Sequence, residues 1–165
     1  MIELLVLDVD GCMTDGRIVY TNSGDELKSF NVKDGFAIVA WKRLGKKVAI
    51  ITGRTSKIVE IRAKELGVDY LFQRVKRKDE KLLELSKLSG IALEKIAAIG
   101  DDLNDYRLLK LAGLSFMPQD GVEEIKEVVD VILQKRGGEG AVREMIEYIL
   151  KREGLFDQYL DYWRV

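Results

Sequence analysis

Two short acidic stretches carry the residue types from which metal or phosphate chemistry is built. The first is Asp8-Val9-Asp10-Gly11-Cys12-Met13-Thr14-Asp15-Gly16 and the second is Gly100-Asp101-Asp102-Leu103-Asn104-Asp105. Asp8 and Asp10 stand at i and i+2 where an extended segment ends, so their side chains point the same way. Two carboxylates held close repel unless a cation or a proton lies between them, and a hard divalent ion with oxygen ligands meets that need. Taken alone, an Asp-x-Asp step also fits loop residues that solvate a strand end. Asp102 and Asp105, three apart on an opening helical turn, share a face. With Asp101 they put three acids at one strand end, which calls for a metal or a lysine, or for helix capping.

The elements that must position these residues are legible around them. Leu4–Leu7 precedes the first acidic stretch, Ile96–Ile99 the second, and Lys47–Ile51 ends in Thr52-Gly53-Arg54. Such continuous apolar runs of strand length fit parallel strands buried on both faces. A fourth short strand, Tyr70–Phe72, leads into Gln73-Arg74-Val75-Lys76-Arg77-Lys78-Asp79-Glu80-Lys81. Helical spacing follows each strand: Phe36, Val39, Ala40 and Leu44 up to Gly45, then 56–66 closed by Gly67, 82–88 and 106–112. Strands at 114–117 and 131–133, a helix at 122–129 and a last helix reaching Lys151 continue the alternation.

The pattern predicts an α/β fold, a three-layer Rossmann-like parallel sheet with right-handed crossovers and ligands at the carboxyl ends of the strands. Residues 17–33 read as a β-hairpin flap, with strands at 17–20 and 26–32 around Thr21-Asn22-Ser23-Gly24-Asp25. No linker or internal repeat divides the 165 residues, so one domain is expected. The tail 154–165 holds Leu155, Phe156, Tyr159, Tyr162 and Trp163. That aromatic density packs either on its own domain or on a neighbouring subunit.

Composition narrows the chemistry further. With no histidine, every imidazole mechanism is removed and proton transfer falls to carboxylates. A net charge of -1 gives no support to a nucleic-acid partner. No apolar run approaches the roughly 18 residues of a membrane span. The single cysteine, Cys12, suits a reducing interior, and a cytoplasmic location is expected. Within the candidate set, the Thr52 hydroxyl either caps the following helix or holds an anionic oxygen, and Asp34 either caps a helix or meets a ligand. Most of the cations at 74–81 fit a solvated face, but one lysine among Lys76, Lys78 and Lys81 should face the carboxylates.

The first stretch resembles the opening motif of the haloacid dehalogenase-like phosphatases, Asp-x-Asp-Gly-x-x-Thr-Asp-Gly. Thr52, a lysine before the second acidic stretch, and Asp101 complete the four motifs of that superfamily in order. The spacing to Gly100-Asp101-Asp102 resembles the family's when the lysine is Lys78. The resemblance implies Asp8 as a nucleophile that becomes an aspartyl phosphate, Asp10 as general acid and base, and Thr52 and Lys78 on the phosphoryl group. It also implies Mg²⁺ on Asp8, the Asp10 backbone and Asp101, steadied by Asp102 and Asp105.

Most of the chain resembles the small capless branch that includes the 3-deoxy-D-manno-octulosonate 8-phosphate phosphatases, through Glu26 to Gly35, Ile50 to Arg54, Arg62 to Gly67 and Gly137 to Arg143. That branch implies a phosphosugar substrate in lipopolysaccharide precursor synthesis and a homotetramer whose neighbours close the site. Sugar contacts would come from Asp10, Asn31, Val32, Lys33, Asp34, Gly35, Arg54, Arg62 and Lys78. Alternatives in the same fold are a phosphatase of a nine-carbon keto-sugar acid and a non-catalytic tetrameric regulatory or scaffold module. One departure stands out: Gln73-Arg74 replaces an expected Gln-Gly.

Overall fold

A computed structural model describes residues 1–164. Among the described residues there are eight strands: β1 (Leu4–Leu7), β2 (Val19–Tyr20), β3 (Glu26–Leu27), β4 (Lys47–Ile51), β5 (Tyr70–Phe72), β6 (Ile96–Ile99), β7 (Leu114–Met117) and β8 (Val131–Ile132). The helices are α1 (Val32–Arg43), α2 (Lys57–Leu66), α3 (Lys78–Ser89), α4 (Tyr106–Leu111), α5 (Ala141–Arg152) and α6 (Phe156–Arg164). Six strands form one parallel sheet in the order β5-β4-β1-β6-β7-β8, and β2 pairs with β3 as a separate antiparallel hairpin. Among the described residues no helix is long and apolar enough to cross a membrane.

The central strand explains why its sequence has no polar position. Leu5 and Leu7 face one core with Ile50, Ala97 and Ile99, covered by Ile38 and Trp41 of α1 and by Met145 and Ile146 of α5. Leu4 and Val6 face the other with Ala49, Ile51, Ile96 and Ala98, covered by Leu82 and Leu85 of α3 and by Leu108 and Leu109 of α4. Alternate residues of one strand thus serve two layers. The register pairs Leu7 with both Ile50 and Ile99, so β1, β4 and β6 end in line. The order turns in opposite directions on either side of β1, and the crevice at that switch point receives Asp8, Thr52 and Asp101.

Several boundaries differ from the sequence reading for physical reasons. The second flap strand is only two residues long, and Val32, expected in it, opens α1. Asn31 is the cap that decides this, its side-chain oxygen accepting from Lys33 N at 2.8 Å. The segment 122–129 is a 3₁₀ turn at Glu123–Glu127 rather than a helix, and α3 starts earlier than its apolar face, at Lys78. The aromatic tail is helical and packs on its own chain: Tyr159 is buried, and the Trp163 and Phe36 rings lie 4.1 Å apart between centroids.

Arg74 has φ 57, the one non-glycine residue in the left-handed region among those described. It occupies the position where glycine was expected, after β5 and against Arg54, whose carbonyl accepts from Arg74 N at 3.3 Å. A left-handed non-glycine residue costs about 1–2 kcal/mol, part of which glycine gives back through a freer unfolded chain. Arg74→Gly is therefore expected to stabilise the protein by roughly 0.5–1 kcal/mol, read as a higher urea midpoint. An unchanged or lower midpoint would show that the Arg74 side chain contributes contacts that offset its backbone.

Candidate active site

The strand ends frame a pocket of about 150 Å³ lined by Asp8, Asp10, Thr52, Gly53, Arg54, Asp101, Asp102 and Asn104. Asp8 leaves β1, Thr52 leaves β4 and Asp101 follows β6 by one glycine, so three separate parts of the chain deliver polar groups to one point. Gly100 is required for this: a Cβ there would meet the Asp105 carboxylate carbon at 2.6 Å. Gly11 is required as well, because its φ is +97 and a Cβ would fall 1.9 Å from an Asp101 carboxylate oxygen. The Gly137 to Arg143 stretch begins against the loop that follows β1. Gly138 N donates to Cys12 O at 3.1 Å, and a Cβ on Gly137 would lie 1.8 Å from Gly11 O.

Lys78 is the lysine that reaches the carboxylates. Its Nζ lies 2.6 Å from Asp8 Oδ1 and 2.6 Å from Asp105 Oδ1, with its side chain 1% exposed. Lys81 pairs with Glu84 on the surface instead, and Lys76 is exposed. Asp105 also accepts from Asp101 N at 3.0 Å through its other oxygen, so it fixes both Lys78 and the Asp101 backbone. Asp102 is exposed and caps the 3₁₀ turn Leu103–Asp105, accepting from Leu103 N at 2.7 Å. Thr52 is buried in the pocket wall and is not the cap of α2; that position belongs to Ser56.

The electrostatics follow from burial. An oxygen of Asp8, an oxygen of Asp101 and Cys12 Sγ lie within 4.8 Å of one another. Burial, then the negative charge of Asp105, pushes the Asp8 carboxyl up to about 7 against the pull of Lys78. Burial and the Asp8 charge push Asp101 up to about 8. Burial also opposes the Lys78 ammonium, yet the two carboxylates hold its pKa above the ordinary lysine value. Two carboxylates that resist ionising together, beside a glycine cradle, form a donor set suited to a hard cation.

The expected sugar contacts divide. Asp10 and Arg54 line the pocket and Lys78 bonds to its Asp8, whereas Asn31, Val32, Lys33, Asp34, Gly35 and Arg62 are not among its lining residues, Val32, Gly35 and Arg62 lining grooves beside α1 and α2 instead. Asp34 is buried and does not cap its own helix, a place held by Asn31; it accepts from Arg143 N at 2.9 Å in the first turn of α5. Burial pushes its carboxyl up to about 6. Gly35 makes room for the Arg62 guanidinium, which a Cβ would meet at 2.4 Å, and Arg62 Nη2 donates to Asn31 O at 3.4 Å.

A family model of haloacid dehalogenase-like hydrolases matches residues 72–146. The 3-deoxy-D-manno-octulosonate 8-phosphate phosphatase of Escherichia coli K12 is 40% identical over 157 residues, 95% of this chain and 84% of that protein. The chain belongs to the haloacid dehalogenase-like hydrolases.

Among solved haloacid dehalogenase-like hydrolases, the Moraxella catarrhalis 3-deoxy-D-manno-octulosonate 8-phosphate phosphatase, bound to magnesium, phosphate and its sugar acid, superposes with TM-score 0.95. It is 43% identical, with 98% of this chain and 93% of that one covered. The cobalt-bound Haemophilus influenzae phosphatase gives TM-score 0.90 at 36% identity over 94% of this chain and 91% of that one. Two pocket neighbours of this hydrolase went unnoticed in its sequence. Asn104 lines the pocket, and Lys28 reaches from the flap to Asp10 at 2.6 Å. The available signal was Glu26 and Lys28 at i and i+2, one face of a strand beside the catalytic loop.

Proposed function

We propose that the chain hydrolyses a phosphomonoester through an aspartyl phosphate on Asp8, and that its substrate is 3-deoxy-D-manno-octulosonate 8-phosphate in lipopolysaccharide precursor synthesis. The observation that carries the reading is Lys78 Nζ at 2.6 Å from Asp8, which lines one pocket with Asp10, Thr52 and Asp101. The substrate follows from relatives of that activity at about 40% identity over nearly the whole chain.

Asp8 attacks phosphorus, and Lys78 and the Thr52 hydroxyl hold phosphoryl oxygens as charge shifts onto them. Asp10 gives its proton to the departing alkoxide, then takes one from the water that cleaves the aspartyl phosphate. Mg²⁺, held by the Asp8 carboxylate, the Asp10 carbonyl and Asp101, would supply positive charge opposite the phosphoryl oxygens. Asp105 steadies that group by fixing the Asp101 backbone, and Asp102 by capping the turn.

The chain is read as one hydrolase domain with no cap, so closure must come from elsewhere. We assign it to a homotetramer in the cytoplasm. Support comes from the exposed apolar residues Ile18, Val19, Tyr20 and Leu27 on the flap, and from Val32 and Ile61 beside Arg62. In that arrangement Asn31 to Gly35 and Arg62, not among the residues lining their own pocket, serve the sugar acid of a neighbour, where a guanidinium suits its carboxylate.

Phosphate release over a panel of sugar phosphates with Mg²⁺ tests the substrate. Preference for the eight-carbon keto acid by at least about tenfold in kcat/KM is expected, which corresponds to about 1.4 kcal/mol of differential transition-state binding. Equal release from many small phosphates would overturn it. A second expectation concerns the metal. Asp8 and Asp101 have folded pKa values raised above the unfolded carboxylate, so their stabilising contribution is complete at acid pH and is lost as pH climbs through about 7 to 8. Mg²⁺ should replace the missing protons and raise Tm more at about pH 8.5 than at about pH 5.5. Equal gains at both would exclude these two carboxylates as the donors.

A further inference from the structure

The flap hairpin carries two charged residues that close a ring with two residues of the pocket. Lys28 Nζ lies 2.6 Å from Asp10 Oδ1 and 3.0 Å from Glu26 Oε1. Glu26 Oε1 accepts from Arg54 Nη2 at 3.3 Å, and Arg54 Nε lies 3.9 Å from Asp10 Oδ2. Positive and negative groups alternate around the ring, and the Tyr20 hydroxyl, 3.3 Å from Arg54 Nη2, adds a further tie from the flap. The Lys28 side chain is 1% exposed although the surrounding flap is largely in solvent.

The four edges are unequal. Asp10 Oδ1 has a short charge-assisted bond to a buried ammonium, whereas Oδ2 has only the distant Arg54. A carboxylate turns about its last bond in a broad, two-fold well, so nothing intrinsic to aspartate distinguishes its oxygens. Here one oxygen is tethered and the other lies on the side of Arg54, which lines the pocket together with Asp10.

We propose that Lys28 is a positioning residue for proton transfer: it holds Asp10 by Oδ1 and so presents Oδ2 to the leaving-group oxygen. The inference rests on the reading of Asp10 as general acid and base. In the first half-reaction the bond from phosphorus to the alkoxide breaks as the Asp8 to phosphorus bond forms, and the proton on Oδ2 passes to the alkoxide. In the second, water adds to phosphorus, its proton goes to Oδ2, and the Asp8 to phosphorus bond breaks to free phosphate. Throughout, Oδ1 stays on Lys28, which ties the flap to the chemistry.

The test uses kcat/KM, which reports the steps through the first half-reaction, on two substrates. One is a sugar primary phosphate that the wild-type chain turns over, whose alkoxide needs the proton. The other is p-nitrophenyl phosphate, whose phenolate leaves without it. Lys28→Met keeps the side-chain length and removes the charge, and it should lower the ratio of sugar to aryl kcat/KM by roughly 10- to 100-fold, the scale of a misplaced general acid.

Lys28→Arg should restore the ratio to within about threefold, since it returns a cation able to hold Oδ1. A merely structural role would depress both substrates together, so an unmoved ratio in Lys28→Met overturns the proposal. Asp10→Asn is the parallel arm. A ratio that falls in Asp10→Asn but not in Lys28→Met removes the positioning role alone, whereas a ratio unmoved in Asp10→Asn removes the acid beneath it.

Discussion

Asp8→Asn is expected to lower turnover by roughly 10⁴-fold or more, the scale on which removing a covalent nucleophile acts. The change removes one charge and adds no bulk. Asp8 lies at the end of a strand paired on both sides, and its N donates to Ile99 O at 3.3 Å, so the fold has no reason to change. Lys78 would retain Asp105 as its partner at 2.6 Å. Turnover measured beside circular dichroism separates lost chemistry from lost structure. Activity within tenfold of wild type on a folded protein would take the nucleophile away from Asp8.

Lys78→Met should have the next largest effect, because one buried ammonium serves three tasks. It compensates Asp8 and compensates Asp105, and in the proposed mechanism it also holds a phosphoryl oxygen. Losing a charged group aimed at developing negative charge costs on the order of 10²–10³ in kcat. Removing the shared partner of two buried carboxylates also destabilises the fold, by roughly 3–5 kcal/mol. The sign with pH follows from the same geometry. Without Lys78 the carboxylates protonate more readily in the folded chain, so the metal-free variant should lose most stability at alkaline pH and recover part of it toward pH 5. Unfolding midpoints across pH read this directly. A variant as stable as wild type at alkaline pH would mean that Lys78 does not compensate the pair.

The candidate site was legible because its strands cannot be anything else. Leu4–Leu7, Lys47–Ile51 and Ile96–Ile99 are apolar at nearly every position, as strands covered on both faces must be, and the residue types change abruptly where each strand stops. Asp8, Thr52 and Asp101 therefore announced themselves as strand-end chemistry. Lys78 needed the resemblance, since nothing in a run of five cations marks the one that will be buried.

What remained hidden depends on contacts distant in sequence. Asn31 caps α1 so that Val32, a strand former by type, begins a helix. Asp34 meets the backbone of Arg143, more than a hundred residues away, and no local pattern marks it as the cap of another helix. Lys28 lay in view as part of a flap strand, but its partner Asp10 is set by where the hairpin folds over the pocket. Arg74 is the converse case. The absence of an expected glycine pointed to the place where the backbone turns left-handed, although the residue itself gave no sign of it.

The central claim is a covalent phosphoryl group on the first aspartate of the catalytic loop, and reductive trapping addresses it directly. Protein mixed with substrate and Mg²⁺ is quenched in acid within a turnover, treated with borohydride and mapped by peptide mass. An acyl phosphate at Asp8 is converted to homoserine at that position. Substrate-dependent homoserine at residue 8, absent in Asp8→Asn, is the predicted result. Full turnover with no trapped species at residue 8, or with the label on Asp10 or Asp101 instead, would contradict it.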